Sequence, residues 1–156
     1  MSARSKVKVK IISPLIKAKI PMPVYATSGS AGMDLHACCE TAIAIPAWSR
    51  GKVPTGIAIE LPGPELVALV FPRSGLASKH GISLSNAVGV IDSDYRGEII
   101  CLVKNDSDQE FLIHPGDRIA QLLFFPIYRM DWEEVTELEE TKRGAGGFGS
   151  TGIGKF

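Results

Sequence analysis

The chain lacks an excess of charge of either sign. Lys plus Arg and Asp plus Glu each number 17 among 156 residues, so the formal net charge at pH 7 is zero. A protein without a net positive field does not attract nucleic acid or an anionic membrane surface over long range. We therefore expect neither as a partner, and an anionic ligand must be met by a local cluster of cations.

Cysteine and long apolar runs are also scarce. The three cysteines, Cys38, Cys39 and Cys101, form no C-x-x-C pair and no disulfide framework. Adjacent cysteines rarely bridge each other, so we expect three reduced thiols. No run approaches the ~18 apolar residues of a membrane span. A proline and two lysines within residues 14–19 interrupt the apolar region that a secretory signal needs. These absences predict a cytoplasmic protein.

Short apolar runs separated by Pro, Gly, Asn and Asp dominate the rest of the chain. Residues 6–11 alternate Lys with Val or Ile, the period of a half-buried strand. Further runs lie at residues 42–45, 56–61, 66–71, 99–103, 111–113 and 119–128. The pattern predicts an all-β sandwich or barrel, and the length suits a single domain.

Two segments have helical character. Residues 74–79 follow Pro72 and end before Gly81, which predicts a short helix with exposed amides at its start. Residues 132–142 combine helix-forming Glu and Leu with the strand-prone Val135 and Thr136. Local composition alone leaves that segment open between helix and extended chain.

The polar stretch LSNAVGVIDSDYRGE, residues 84–98, lies between apolar runs. Turn signals at Asn86 and at Arg96 with Gly97 predict a hairpin whose walls hold a flat ligand. Asp92 is then a candidate general base. A calcium loop is excluded because Arg96 occupies its third ligand position and Val103 its twelfth.

The last sixteen residues, TKRGAGGFGSTGIGKF, contain six glycines. Such a segment loses much entropy on ordering, so residues 141–156 are predicted to be a flexible tail on a β domain of residues 1–140. One interpretation is a frayed terminus. The other is a tail that orders on a ligand, since Arg143, Phe148, Ser150 and Thr151 are residue types that clamp phosphate and stack on a base.

Five short motifs, taken together and in order, resemble those of the trimeric deoxyuridine triphosphate nucleotidohydrolases (dUTPases). In this sequence they read Ala31-Gly32-Met33-Asp34-Leu35, Pro72-Arg73-Ser74-Gly75-Leu76-Ala77, Gly89-Val90-Ile91-Asp92-Ser93-Asp94-Tyr95-Arg96-Gly97, Gly116-Asp117-Arg118-Ile119-Ala120-Gln121-Leu122 and Arg143-Gly144-Ala145-Gly146-Gly147-Phe148-Gly149-Ser150. The resemblance implies a jelly-roll-like distorted barrel with one short helix and an extended segment at 132–142. It also implies a homotrimer in which the C-terminal tail is swapped between subunits and closes a neighbour's site.

The reaction that this resemblance implies is hydrolysis of dUTP to dUMP and pyrophosphate. Asp92 matches the family's base, which activates a water for attack on the α-phosphorus. Mg²⁺ is the implied cofactor, held mostly by phosphates and water. Asp34 either contacts that metal through water or holds an arginine. The reaction would remove dUTP from the nucleotide pool and supply dUMP for dTMP synthesis.

The remaining implied site residues fall into two groups. Contacts to the phosphates are implied for Arg73, Ser74, Gly75, Gln121, Arg143, Gly149, Ser150 and Thr151. A uracil pocket that rejects a 5-methyl group is implied for Asn86, Gly89, Val90, Ile91 and the backbone of Ile100. Tyr95 would lie against the deoxyribose and Phe148 would stack on the uracil. Two alternatives are a dCTP deaminase of the same fold family and a non-catalytic nucleotide-sensing module.

Overall fold

The computed structural model describes residues 6–147 of the chain. Within that range it contains eleven strands and one helix, which confirms the all-β class. In chain order they are β1 (Lys8–Ile11), β2 (Met33–His36), β3 (Ile43–Ile45), β4 (Arg50–Pro54), β5 (Ile57–Glu60), β6 (Leu66–Pro72), α1 (Ser74–His80), β7 (Ile82–Leu84), β8 (Gly89–Ile91), β9 (Ile100–Asn105), β10 (Phe111–Ile113) and β11 (Arg118–Pro126).

The described strands form four antiparallel sheets that do not close into one barrel. Their orders are β1-β5, β10-β3, β2-β11-β6-β8 and β4-β9-β7. The longest pairing joins β11 to β6, from Ala120 opposite Pro72 to Pro126 opposite Leu66. Almost every neighbour is distant in the sequence, so the fold depends on non-local pairing rather than on a run of hairpins.

Inward-facing side chains of these sheets make one apolar core. Leu35, Ile45, Val53 and Ile113 are fully buried within it, and residues of β5, β6, β7, β9 and β11 also contribute to it. In β9 the burial alternates along the strand, as the two-residue period of a half-buried strand requires. Two polar residues, Thr55 and Asn105, are buried with this core. The Asn105 side-chain NH2 group lies 3.0, 3.2 and 2.8 Å from the carbonyl oxygens of Ile45, Pro46 and Gln109, which share its two N–H donors.

Helix α1 lies where the sequence predicts it, one residue longer. Arg73 precedes it in an extended conformation, and Gly81 ends it with φ of 67°. The left-handed backbone conformation at that position favours glycine. The Gly81 amide also donates to the Ala77 carbonyl at 3.1 Å. Residues 132–142 contain neither helix nor strand, which favours the extended alternative.

The predicted hairpin within residues 84–98 needs correction. Strands β7 and β8 flank Asn86, but they do not pair with each other. Strand β7 pairs with β9, whereas β8 pairs with β6 in a different sheet. Loop 92–99 therefore crosses from one sheet to another instead of joining two arms of a hairpin.

No helix in the part of the chain that the structure describes has the length and apolar character to cross a membrane. All three cysteines lie in that part and are free thiols. Burial raises the pKa of the Cys101 thiol to about 12, so that it stays protonated and unreactive at neutral pH.

Candidate active site

A cavity of about 250 Å³ lies at the junction of β7, β8 and β9. Val70 of β6, Glu98, Cys101 and Leu102 are among the residues that line it. The seven residues predicted for the uracil pocket, the base and the deoxyribose contact all contribute to its wall: Asn86, Gly89, Val90, Ile91, Asp92, Tyr95 and Ile100. The structure therefore brings that half of the predicted site together.

Side chains pack closely against Gly89 of β8 and shape the cavity there. A Cβ atom at Gly89 would lie 3.2 Å from Cβ of Val70 and 3.5 Å from Nδ2 of Asn86. Ala87 has φ of 60°, and its amide donates to the Leu84 carbonyl at 3.1 Å. A left-handed non-glycine residue is uncommon, and here it turns the chain so that Asn86 and Gly89 face the same space.

The loop that follows Asp92 is held by its own contacts. The Tyr95 hydroxyl donates to the Glu98 carbonyl at 3.1 Å, and a Cβ atom at Gly97 would overlap the Tyr95 phenol ring. The Glu98 carboxylate accepts the Gly56 amide at 2.7 Å, which ties the end of the loop to the start of β5. The position of the Tyr95 ring thus depends on a glycine two residues later.

A second group of residues, here called the arginine group, lies at the ends of β2, β6 and β11. It comprises Asp34, Arg73, Ser74, Gly75, Arg118 and Gln121. Arg73 Nε is 3.0 Å from Asp34 Oδ1, and Arg118 Nη1 is 3.5 Å from Asp34 Oδ2. Gln121 Nε2 donates to the Pro72 carbonyl at 3.0 Å. Strand register explains the grouping, because Gln121 is paired with Asp34 on one side and with Phe71 on the other. Ser74 and Gly75 are exposed at the start of α1, next to Arg73.

His36 lies beside the arginine group. Its Nδ1 atom is buried and has no hydrogen-bond partner. Burial lowers the pKa of His36; the Asp34 carboxylate raises it, and Arg118 and Arg73 lower it further. The imidazole is therefore neutral at physiological pH, and the group keeps two arginine charges against one carboxylate.

Within a single chain, the cavity beside Asp92 and the arginine group are separate. Within residues 6–147, no residue of the arginine group lines the 250 Å³ cavity. Arg143 does not reach the cavity either, since its Nε donates locally to the Gly146 carbonyl at 2.9 Å. The predicted contacts of Phe148, Gly149, Ser150 and Thr151 lie outside the described residues.

Three residues acquire a place in the site that sequence reasoning did not give them. Arg118 shares Asp34 with Arg73, Glu98 anchors the loop after Asp92, and Arg96 donates to carbonyls of that loop. Each lies in or beside a motif, but its role depends on a partner that is distant in sequence or on the loop's folded shape. Sequence adjacency to the motifs was the only available signal.

The described residues offer no preformed metal cage. Among residues 6–147 no three His, Cys, Asp or Glu side chains gather to hold an ion. Both carboxylate oxygens of Asp34 face arginines, which favours its alternative role of holding an arginine. A Mg²⁺ ion fits such a site if it arrives with a triphosphate, since Mg²⁺ is commonly held by phosphates and water.

Fold and site together define an all-β protein with a small ligand cavity between two sheets and a separate arginine group able to bind an anion. The sequence model of the dUTPase family matches residues 18–152. The chain belongs to the dUTPase family.

Curated relatives and solved structures agree with that assignment. The deoxyuridine 5'-triphosphate nucleotidohydrolase of Klebsiella pneumoniae (strain 342) is 47% identical over 147 residues, which cover 94% of this chain and 97% of the relative. That of Citrobacter koseri is 48% identical with the same coverage. The dUTPase of Staphylococcus bacteriophage 80alpha with dUpNHpp has a TM-score of 0.83 at 26% identity, over 96% of this chain and all (100%) of the other. A dUTPase of S. aureus phage phi11, described with a structural Mg(II) ion, shares the fold at 22% identity and TM-score 0.75, over 87% and 100% of the two chains.

Proposed function

We propose that this protein is a dUTP diphosphatase, which hydrolyses dUTP to dUMP and pyrophosphate. The observation that carries the proposal is the cavity that gathers Asp92 and the six other predicted nucleoside-binding residues. The relatives named for this activity, at 47% and 48% identity, support it. Such a reaction removes dUTP from the nucleotide pool and supplies dUMP for dTMP synthesis.

Asp92 acts as the general base. It lies directly after β8, so the strand fixes its backbone while its exposed carboxylate faces the cavity. The carboxylate accepts a proton from water, and the water oxygen bonds to the α-phosphorus. The bond from that phosphorus to the oxygen bridging the β-phosphorus breaks, and pyrophosphate leaves. A positioned base contributes about 10²–10⁴ in rate.

Charge on the triphosphate is met by the arginine group. Asp34 orients Arg73 and Arg118 without neutralising both of them. The exposed amides of Ser74 and Gly75 lie beside Arg73, and Gln121 is held by the Pro72 carbonyl. Phosphoryl transfer depends chiefly on such positioning and electrostatics. Mg²⁺, when bound with the substrate, supplies further charge neutralisation.

The cavity suits a pyrimidine nucleoside. Backbone groups along β8 and at Ile100 provide hydrogen bonds to a base edge, and Val90 and Ile100 provide apolar walls that are 61% and 44% exposed. Buried polar groups that lose their partners reject a wrong base far more strongly than shape alone. Tyr95, positioned by Gly97 and the Glu98 carbonyl, lies against the sugar and excludes a 2′-hydroxyl.

A homotrimer unites the two groups that one chain keeps separate. The segment after β11 exposes large apolar side chains, with Tyr128, Trp132 and Leu138 at 88%, 102% and 86% exposure. Such an apolar surface suits burial against another copy. A tail from a neighbouring subunit then supplies Arg143 to the γ-phosphate, Phe148 to the uracil, and Gly149, Ser150 and Thr151 to the phosphates.

The products identify the reaction. With dUTP, Mg²⁺ and ¹⁸O-labelled water, we expect equimolar dUMP and pyrophosphate, with the label in dUMP because water attacks the α-phosphorus. Label in pyrophosphate would contradict the proposed attack. Ammonia from dCTP would instead indicate the deaminase of the same fold family, and tight dUTP binding without turnover would indicate a nucleotide-sensing module.

A further inference from the structure

Arg96 caps the loop that carries Asp92 and Tyr95. Its Nη1 atom donates to the Ser93 carbonyl at 2.8 Å and to the Tyr95 carbonyl at 3.1 Å. Within the same loop the Tyr95 amide donates to the Asp92 carbonyl at 3.2 Å. One guanidinium nitrogen therefore joins two successive parts of the turn between the proposed base and the proposed sugar contact.

The same side chain is oriented from outside the loop. Arg96 Nε lies 3.9 Å from Glu60 Oε2 in β5, and Lys8 Nζ of β1 lies 2.7 Å from Glu60 Oε1. All three groups are substantially exposed, so these ion pairs add little to stability. These ion pairs instead orient the Arg96 side chain, because Glu60 attracts Nε and thereby favours the orientation in which Nη1 faces the loop carbonyls.

We propose that Arg96 is a positioning residue for dUTP hydrolysis, holding the loop of residues 92–98 in the conformation that presents Asp92 and Tyr95 to the cavity. The inference rests on the proposed function for its catalytic consequence. It assigns Arg96 no contact with substrate, since Arg96 does not belong to the cavity wall formed by the described residues.

Loss of the guanidinium should loosen the loop rather than unfold the protein. The two carbonyls would accept water instead, since Arg96 is exposed, and the turn would sample more conformations. Two charge-assisted hydrogen bonds hold the present conformation, so Arg96→Ala is expected to lower kcat about tenfold and change KM less than about threefold.

The test compares Arg96→Ala and Arg96→Lys with Arg50→Ala, which removes an exposed arginine of β4 that lies outside the cavity wall. Lysine keeps the charge but not the planar fork of donors. We expect both Arg96 variants to lose kcat, guanidinium ion to restore part of it in Arg96→Ala, and Arg50→Ala to match the wild type. Hydrogen exchange of residues 92–98 should rise in Arg96→Ala and stay unchanged in Arg50→Ala.

Four results would overturn the inference: unchanged loop exchange in Arg96→Ala, unchanged kcat, full activity in Arg96→Lys, or a rise in KM alone. The last two would make Arg96 a simple charge for the phosphates. A wild type that fails to hydrolyse dUTP would instead overturn the proposed function, and the exchange experiment would still decide whether Arg96 holds the loop.

Discussion

Asp92 is the side chain on which the proposed chemistry depends. It lies at the junction between a strand and a loop, so its backbone is held while its carboxylate faces the cavity. Asp94, two residues later, is exposed in the same loop but does not belong to the cavity wall. The two carboxylates therefore make a matched pair for experiment.

Asp92→Asn should lower turnover of dUTP by about 10²–10⁴ and leave affinity for dUpNHpp within about threefold, because the amide cannot accept the water proton but keeps the shape. Asp94→Asn should retain near-normal turnover. Steady-state pyrophosphate release and calorimetric titration measure the two quantities. An active Asp92→Asn enzyme would remove this residue from the role of base.

His36 predicts how stability depends on pH. Burial lowers its pKa below the ordinary value of 6.5, so the unfolded chain takes up a proton at a higher pH than the folded chain does. The unfolded state then binds more protons, and the free energy of unfolding falls as pH falls from about 7 to 5. His36→Gln should show a shallower fall in Tm over that range. Equal slopes for wild type and variant would contradict the burial of a neutral imidazole.

Among the loops and strands, single glycines leave the space that neighbouring side chains occupy. A side chain at Gly97 would occupy the space of the Tyr95 ring, whereas a Cβ atom at Gly29 would meet nothing within 4 Å. Gly97→Ala should therefore displace the phenol and reduce the preference for dUTP over UTP about tenfold, as overpacking shifts the ring. Gly29→Ala is the control. Ratios of kcat/KM measure the effect, and an unchanged ratio would separate Tyr95 from sugar selection.

Asn105 joins the end of β9 to β3 and to the following turn. Its side-chain NH2 group donates to carbonyls of β3 and of the turn, and its Oδ1 accepts the Ser107 amide at 3.0 Å and hydroxyl at 2.8 Å. Asn105→Ala would leave buried carbonyls without donors and should lower the free energy of unfolding by about 2–4 kcal/mol. Exposed Lys104→Ala should change it by less than about 1 kcal/mol. Urea titration measures both, and equal effects would contradict the role of Asn105.

Local signals account for the elements that the sequence predicts well. Strand β10 and helix α1 have clear boundaries, since a turn with Gly116 follows the first and the left-handed Gly81 ends the second. Strands β7 and β8 have three residues each, too few for a period to be recognised, and their partners lie in different sheets. The sequence therefore predicted seven residues of the cavity wall, but the pairing that forms the cavity was predicted wrongly as a hairpin.

The contacts within the arginine group likewise could not be predicted from the local sequence. Asp34 left two alternatives open in the sequence because its partners, Arg73 and Arg118, are brought to it by β6 and β11. Such a contact depends on strand register, which a single sequence does not encode locally.

For the whole molecule, the proposed function implies that each site is shared between copies of the chain. Deletion of residues 143–156 should abolish most turnover while the protein keeps its fold and oligomeric mass, because the proposed function assigns ligand contacts to the tail and the core is formed by residues 16–122. Circular dichroism, light scattering and pyrophosphate release measure these properties. Full activity of the truncated protein would make the tail dispensable.

Mixing distinguishes a swapped tail from one that serves its own chain. Truncated chains and Asp92→Asn chains, each strongly impaired alone, should regain activity when refolded together, since some sites then combine an intact Asp92 with an intact tail. No regain in a mixed oligomer would contradict tail exchange.

The proposed function depends on the cavity beside Asp92 selecting deoxyuridine nucleotides for hydrolysis. Comparison of kcat/KM for dUTP, dTTP, dCTP and UTP with Mg²⁺ tests it most directly. We expect kcat/KM for dUTP to exceed that for each of the others by at least about a thousandfold, because a hydrogen-bonding pocket leaves buried groups unpaired with the wrong base. Comparable values for all four nucleotides would contradict it.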